Sequence, residues 1–128
     1  MQRQRNSRKM EFKYFTDEEF RKATPSCSLS DMDENFMSKL DHARDIAGVP
    51  FIVSSAFRSE EYEKKKGRSG TSRHTLGIAI DIRCYDNALR FRIVNALLSV
   101  GFRRIGIASS FIHVDDGYPT SLPLIWLY

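Results

Sequence analysis

Phe102-Arg103-Arg104-Ile105-Gly106-Ile107 and, beyond Ala108-Ser109-Ser110, Phe111-Ile112-His113-Val114-Asp115 are two short runs near the end of the chain that read as closely spaced strands. In the second run Ile112 and Val114 fall on one face, and His113 and Asp115 on the other. Further upstream, Ile78-Ala79-Ile80-Asp81-Ile82-Arg83 alternates in the same way. Its three isoleucines share one face, and Ala79, Asp81 and Arg83 share the opposite one. A last short strand is expected over Ile125 to Tyr128, and an earlier one over Val49 to Ser54, which is β-branched and follows Gly48.

The segments between these strands carry helical patterns. Thr16-Asp17-Glu18-Glu19 has the form of a capping box and predicts a short helix that turns Phe20 inward. A longer helix is expected from Ser30 to Ala47, with Phe36, Leu40, Ala43 and Ala47 on one face and Gly48 as the stop. Glu60 to Lys66 reads as a charged helical turn. A second amphipathic helix is expected from Asp86 to Val100, with Leu89, Ile93, Val94 and Leu97 inward and Gly101 beyond its end. Helices first and several short strands later indicate an α+β domain whose mostly antiparallel sheet is covered by helices on one face.

The chain has 128 residues, enough for one domain that buries about two-thirds of its unfolded surface. Hydrophobic residues at 41% against 28% charged residues exclude a disordered chain. Twenty Lys and Arg against sixteen Asp and Glu give a net charge of +4, which favours anionic polymers without naming one. Residues 1–9, with Arg3, Arg5, Arg8 and Lys9, read as a basic flexible tail, and residues 10–128 as the folded domain. That tail runs into no apolar core of a signal peptide, and no segment approaches the ~18 apolar residues of a membrane span. A chain made in the cytoplasm is expected, with Cys27 and Cys84 as free thiols.

The chemistry-bearing residues are few. Among three histidines, two lie in small or apolar contexts that end in a carboxylate: His74, seven residues before Asp81, and His113, two before Asp115. If their strands are neighbours, Asp81, His113 and Asp115 converge on the polar side of the sheet. Two imidazoles and a carboxylate make a three-ligand set that leaves one zinc position open, the composition of a catalytic site. Spacing alone does not separate such a site from ordinary hydrogen-bonded polar residues, which are the commoner use of a His and an Asp on polar loops. His42 reads as a solvated helix residue and Asp116 as a turn residue, while Ser72 and Thr75 either bond the local backbone or reach substrate or the groups around the metal ligands.

Ser72-x-His74-x-x-Gly77-x-Ala79-x-Asp81, together with Phe111-Ile112-His113-Val114-Asp115, resembles the zinc D-alanyl-D-alanine carboxypeptidase family, whose relatives include D-Ala-D-Ala dipeptidases and the hedgehog zinc domain. Similar stretches occur at Phe15 to Phe20, Ser54 to Ser59, Gly101 to Gly106 and Ile125 to Tyr128. The resemblance implies a hedgehog/D-Ala-D-Ala peptidase-like fold, Zn2+ as cofactor, and His74, Asp81 and His113 as its ligands. It implies that Arg58 sits near the substrate, stabilising an oxyanion or binding a carboxylate. Better-described relatives carry a His, Asp or Glu two or three residues before the last ligand, where this chain has Phe111 and Ser110. Asp115 is therefore the expected general base, the alternative being that it orients the His113 imidazole.

The implied reaction is zinc-dependent hydrolysis of peptide bonds in peptidoglycan stem peptides or cross-links, by a monomer acting in phage lysis or from a virion. A zinc-containing cell-wall-binding domain without catalysis is the alternative. Specific nucleic-acid binding is not expected, because the chain shows no basic helix, ribonucleoprotein motif or zinc-finger spacing.

Overall fold

The computed structural model describes residues 11–70, 72–116 and 122–128, so the expected basic tail lies outside the described residues. The chain forms α1 (Asp17–Arg21), a 3-10 turn (Leu29–Asp31), α2 (Glu34–Ala47), β1 (Val53–Ser55), α3 (Glu60–Lys65), β2 (Ala79–Arg83), α4 (Asn87–Ser99), β3 (Arg104–Ile107), β4 (Phe111–Asp115) and β5 (Leu124–Leu127). The five strands make one sheet in the order β1-β2-β4-β3-β5. Three of the pairings are antiparallel, and β5 joins β3 in parallel. The fold is thus α+β with a largely antiparallel, mixed sheet.

The expected helix from Ser30 is divided in the structure. Ser28 caps a 3-10 turn, and a second cap at Asp33, whose carboxylate accepts from the Phe36 N–H at 2.9 Å, starts α2 at Glu34. Gly48 ends α2 in the left-handed conformation, φ 67°, as its position predicts. The strand expected from Val49 begins only at Val53. Pro50 has no N–H to pair, although the Ile52 carbonyl already accepts from Arg83 N–H at 2.8 Å. The strand expected from Phe102 likewise begins later, at Arg104, and β5 runs one residue earlier than Ile125 to Tyr128.

One face of the sheet is apolar. Ile80, Val114 and Ile105 form one cross-strand row and Ile82, Ile112 and Ile107 the next. Phe36, Met37 and Leu40 of α2, with Ile93, Ala96 and Leu97 of α4, belong to the same buried core. Each of these side chains removes apolar area from water at roughly 25 cal/mol per Å2, which fixes the face that points inward. A slip of one residue would expose the isoleucines, so the register is strongly specified. Cys27 and Cys84 are both buried and unpaired in this interior.

Candidate metal centre

The same register that buries the isoleucines gathers polar side chains on the other face. Ser55, Asp81, His113, Gly106 and Trp126 lie directly across from one another on the five successive strands. The next row carries Ala79, Asp115, Arg104 and Leu124. Asp81 and His113 are therefore direct antiparallel partners, with Cβ atoms about 5 Å apart. His74 arrives from outside the sheet, on a turn in which Gly77 N–H donates to the His74 carbonyl. Gly77 has φ 73°, and a Cβ there would lie 2.6 Å from the Asp31 carbonyl oxygen. Its hydrogen atom lets this turn seat against the start of α2, where Gly77 O accepts from Asp33 N–H at 2.9 Å.

The donor atoms have fixed roles. His74 Nδ1 lies 2.7 Å from the Ala56 carbonyl, an acceptor only, so Nδ1 carries the proton and Nε2 holds the free lone pair. That Nε2 is 3.6 Å from Asp81 Oδ1, and His113 Nδ1 is 2.9 Å from the same oxygen. One ligand atom from each of His74, Asp81 and His113 lies within 4.8 Å of the others, and all three residues are buried. Donors 2.0–2.1 Å from a tetrahedral ion stand about 3.3 Å apart, and the 2.9 and 3.6 Å separations from Asp81 Oδ1 bracket that spacing for a zinc-sized ion. Carboxylate plus two imidazoles is also the right chemistry for it.

The charges surrounding the three are themselves held. Arg58 donates from Nη2 to Asp81 Oδ2 at 3.2 Å and from Nε to Ser55 Oγ at 3.0 Å. Asp115 places Oδ2 2.7 Å from His113 Nε2 and accepts at Oδ1 from Arg104 Nε at 2.7 Å, with Arg73 Nε 3.4 Å away. Only 2% of Asp115 is exposed. Burial alone would raise the Asp81 carboxyl, but His113 and His74 outweigh it and hold Asp81 well below the ordinary carboxylate range. Burial likewise works against a charged His113, yet Asp115 and Asp81 lift it above its ordinary 6.5. Asp115 is lowered, burial being overcome by His113 and Arg104.

All five residues singled out in the sequence, Arg58, His74, Asp81, His113 and Asp115, meet at this one place. His42 is exposed on α2, and Asp116 turns away to pair with Lys39 at 2.8 Å. Other contributors had no role assigned from sequence, among them Ser55, the Ala56 carbonyl, Glu63, Arg73, Arg104 and Trp126. Trp126 packs tilted against His113, 5.5 Å from ring centre to ring centre, and lies so close over β3 that a Cβ at Gly106 would meet its indole at 2.6 Å. Strand alternation could have put Arg104 on the face of Asp115, but only the pairing of β3 with β5 brings in Trp126.

Comparison with known proteins agrees with this arrangement. The family model Peptidase M15 matches residues 13–115. No curated protein and no solved structure gives a significant match. The matched stretch runs from just before α1 to the last residue of β4, through every element that supplies a donor to the centre. On that match the chain belongs to the peptidase M15 family, whose members are zinc-dependent peptidases.

Proposed function

We propose that this chain hydrolyses peptide bonds in bacterial peptidoglycan, in stem peptides or their cross-links, as a D-Ala-D-Ala carboxypeptidase or endopeptidase working in phage lysis or from a virion. The observation that carries the reading is the pairing of Asp81 with His113 across β2 and β4, with His74 Nε2 turned toward them. The substrate class rests on the resemblance of the His74-to-Asp81 and Phe111-to-Asp115 motifs to the D-alanyl-D-alanine carboxypeptidases. A net charge of +4 is compatible with an anionic wall polymer. No helix among the described residues is long and apolar enough to cross a membrane.

His74, Asp81 and His113 are the residues that hold zinc in this reading. Bound there, zinc supplies a Lewis acid for the scissile carbonyl and lowers the pKa of a water to about 7. Arg58 is anchored by Ser55 and Asp81, so its guanidinium stays beside the centre and can stabilise a developing oxyanion or bind a substrate carboxylate. Of the two roles considered for Asp115, we assign it the orienting one. Its Oδ2 takes the ring N–H of His113 that points away from the centre, and its Oδ1 is engaged by Arg104. A metal-binding histidine commonly gives its second ring N–H to a carboxylate in this way, which fixes the tautomer.

Digestion of purified peptidoglycan by the zinc-loaded protein, with fragments identified by mass, tests the reading. Released D-alanine or separated stem peptides are expected, and the fragments identify the bond. Zinc-loaded protein that yields no new fragments would overturn the peptidase reading in favour of a wall-binding domain.

A further inference from the structure

α3 is a six-residue surface helix, Glu60-Glu61-Tyr62-Glu63-Lys64-Lys65, and the one residue it buries is an acid. Glu63 is 2% exposed and is not one of the donors at the metal centre. Removing a carboxylate from water is costly unless charge and hydrogen bonds replace it, so its partners show what it is fastened to. Its Oε1 lies 3.7 Å from Arg58 Nη1 and accepts from Ser72 Oγ at 3.3 Å. Its Oε2 accepts from Arg68 Nη1 at 2.7 Å, and its backbone carbonyl accepts from Arg68 N–H at 2.9 Å.

Two paths to the centre therefore begin at this carboxylate. One runs from Glu63 to Arg58, and from Arg58 to Asp81 Oδ2 at 3.2 Å, whose other oxygen faces His74 and His113. The second runs through Arg68 and Ser72, which bracket the loop leading into His74. With Nε on Ser55, Nη2 on Asp81 and Nη1 beside Glu63, the Arg58 guanidinium is oriented at all three nitrogens. Without the Glu63 charge, Arg58 would be drawn wholly toward Asp81 and would compete with a cation for that carboxylate.

We propose that Glu63 is a positioning residue that holds Arg58 in balance between two carboxylates and ties down the loop that delivers His74. The inference rests on the reading of Asp81 as a metal ligand and of Arg58 as the residue beside the substrate.

The test is a double-mutant cycle of Glu63→Gln, Arg58→Ala and both together, with folding followed by circular dichroism. Zinc affinity is read by competition with a chromogenic chelator, and kcat and KM are read on a cross-linked stem peptide at saturating zinc. Glu63→Gln should fold, bind zinc about 10-fold more weakly and lower kcat by about 10-fold. In the Arg58→Ala background the same change should have a clearly smaller effect on zinc affinity and kcat, the remainder passing through Arg68 and Ser72 to the loop that delivers His74. Undiminished effects in that background, or a loss of thermal stability with zinc affinity and kcat unchanged, would overturn the proposal. Glu63→Asp, which keeps the charge on a shorter arm, should recover part of the zinc affinity, and if neither variant folds the proposal falls. If the wild type cleaves no peptidoglycan peptide, the substrate reading fails, while the zinc-affinity cycle still decides the role of Glu63.

Discussion

Replacing Asp115 by Asn keeps the size of the side chain and removes its charge at a position where both oxygens are in use. The structure places 2.7 Å contacts on each oxygen, to His113 Nε2 and to Arg104 Nε, in a site only 2% exposed. An amide can still accept one hydrogen bond, but it turns an NH2 toward the other partner and no longer holds the His113 imidazole by charge. For a residue that orients a metal-binding histidine, such a loss weakens the metal by about 10- to 100-fold, or about 1.4–2.7 kcal/mol. Asp115→Asn should therefore lower zinc affinity by that factor in chelator competition, and titrating zinc back should restore most of the hydrolytic rate. A general base at Asp115 would behave otherwise. Zinc would stay bound at wild-type affinity and the rate would fall by roughly 10²- to 10⁴-fold at every zinc concentration. That outcome would refute the orienting role.

Arg58→Ala should leave zinc bound and slow hydrolysis by on the order of 10²-fold, as measured by kcat at saturating zinc; an unchanged rate would remove Arg58 from the site. Gly77→Ala should destabilise the fold by about 1–2 kcal/mol from the left-handed backbone alone, with more from contact with the Asp31 carbonyl, read as a lowered Tm. The pH dependence of metal binding follows from His113. Its pKa is raised above 6.5 in the metal-free chain, so its charged form stabilises that chain below pH 6.5, and this contribution is lost as pH rises through the raised value. Zinc needs the neutral ring, so zinc affinity should weaken as pH falls through that same raised value, whereas an affinity flat from pH 8 to pH 5 would contradict the assignment of His113.

The polar face of the sheet was legible because β2 and β4 obey a period of two: isoleucine and valine positions fixed the inward side, and Asp81, His113 and Asp115 had to lie on the other. Which strands are neighbours could not be read this way. The row from Ser55 to Trp126 depends on β2 pairing with β4 and on β5 returning parallel to β3, and both are set by the packing of the whole sheet. The start of α2 is not legible locally, because Ser28, Ser30 and Asp33 are all good capping residues. The structure uses Ser28 for the 3-10 turn and Asp33 for the helix. Glu63 was hidden for a related reason. In a run of three glutamates and two lysines, nothing in the local pattern marks the acid that turns inward, because its partners Arg58, Arg68 and Ser72 come from the flanking loops.

The metal content of the purified wild type and of His74→Ala, Asp81→Ala and His113→Ala tests the central claim most directly. One zinc per chain is predicted for the wild type, and severe loss of zinc for each variant, since each substitution removes one of three protein donors from the centre. Zinc retained at one per chain in all three correctly folded variants would contradict the assignment of these residues as the metal centre.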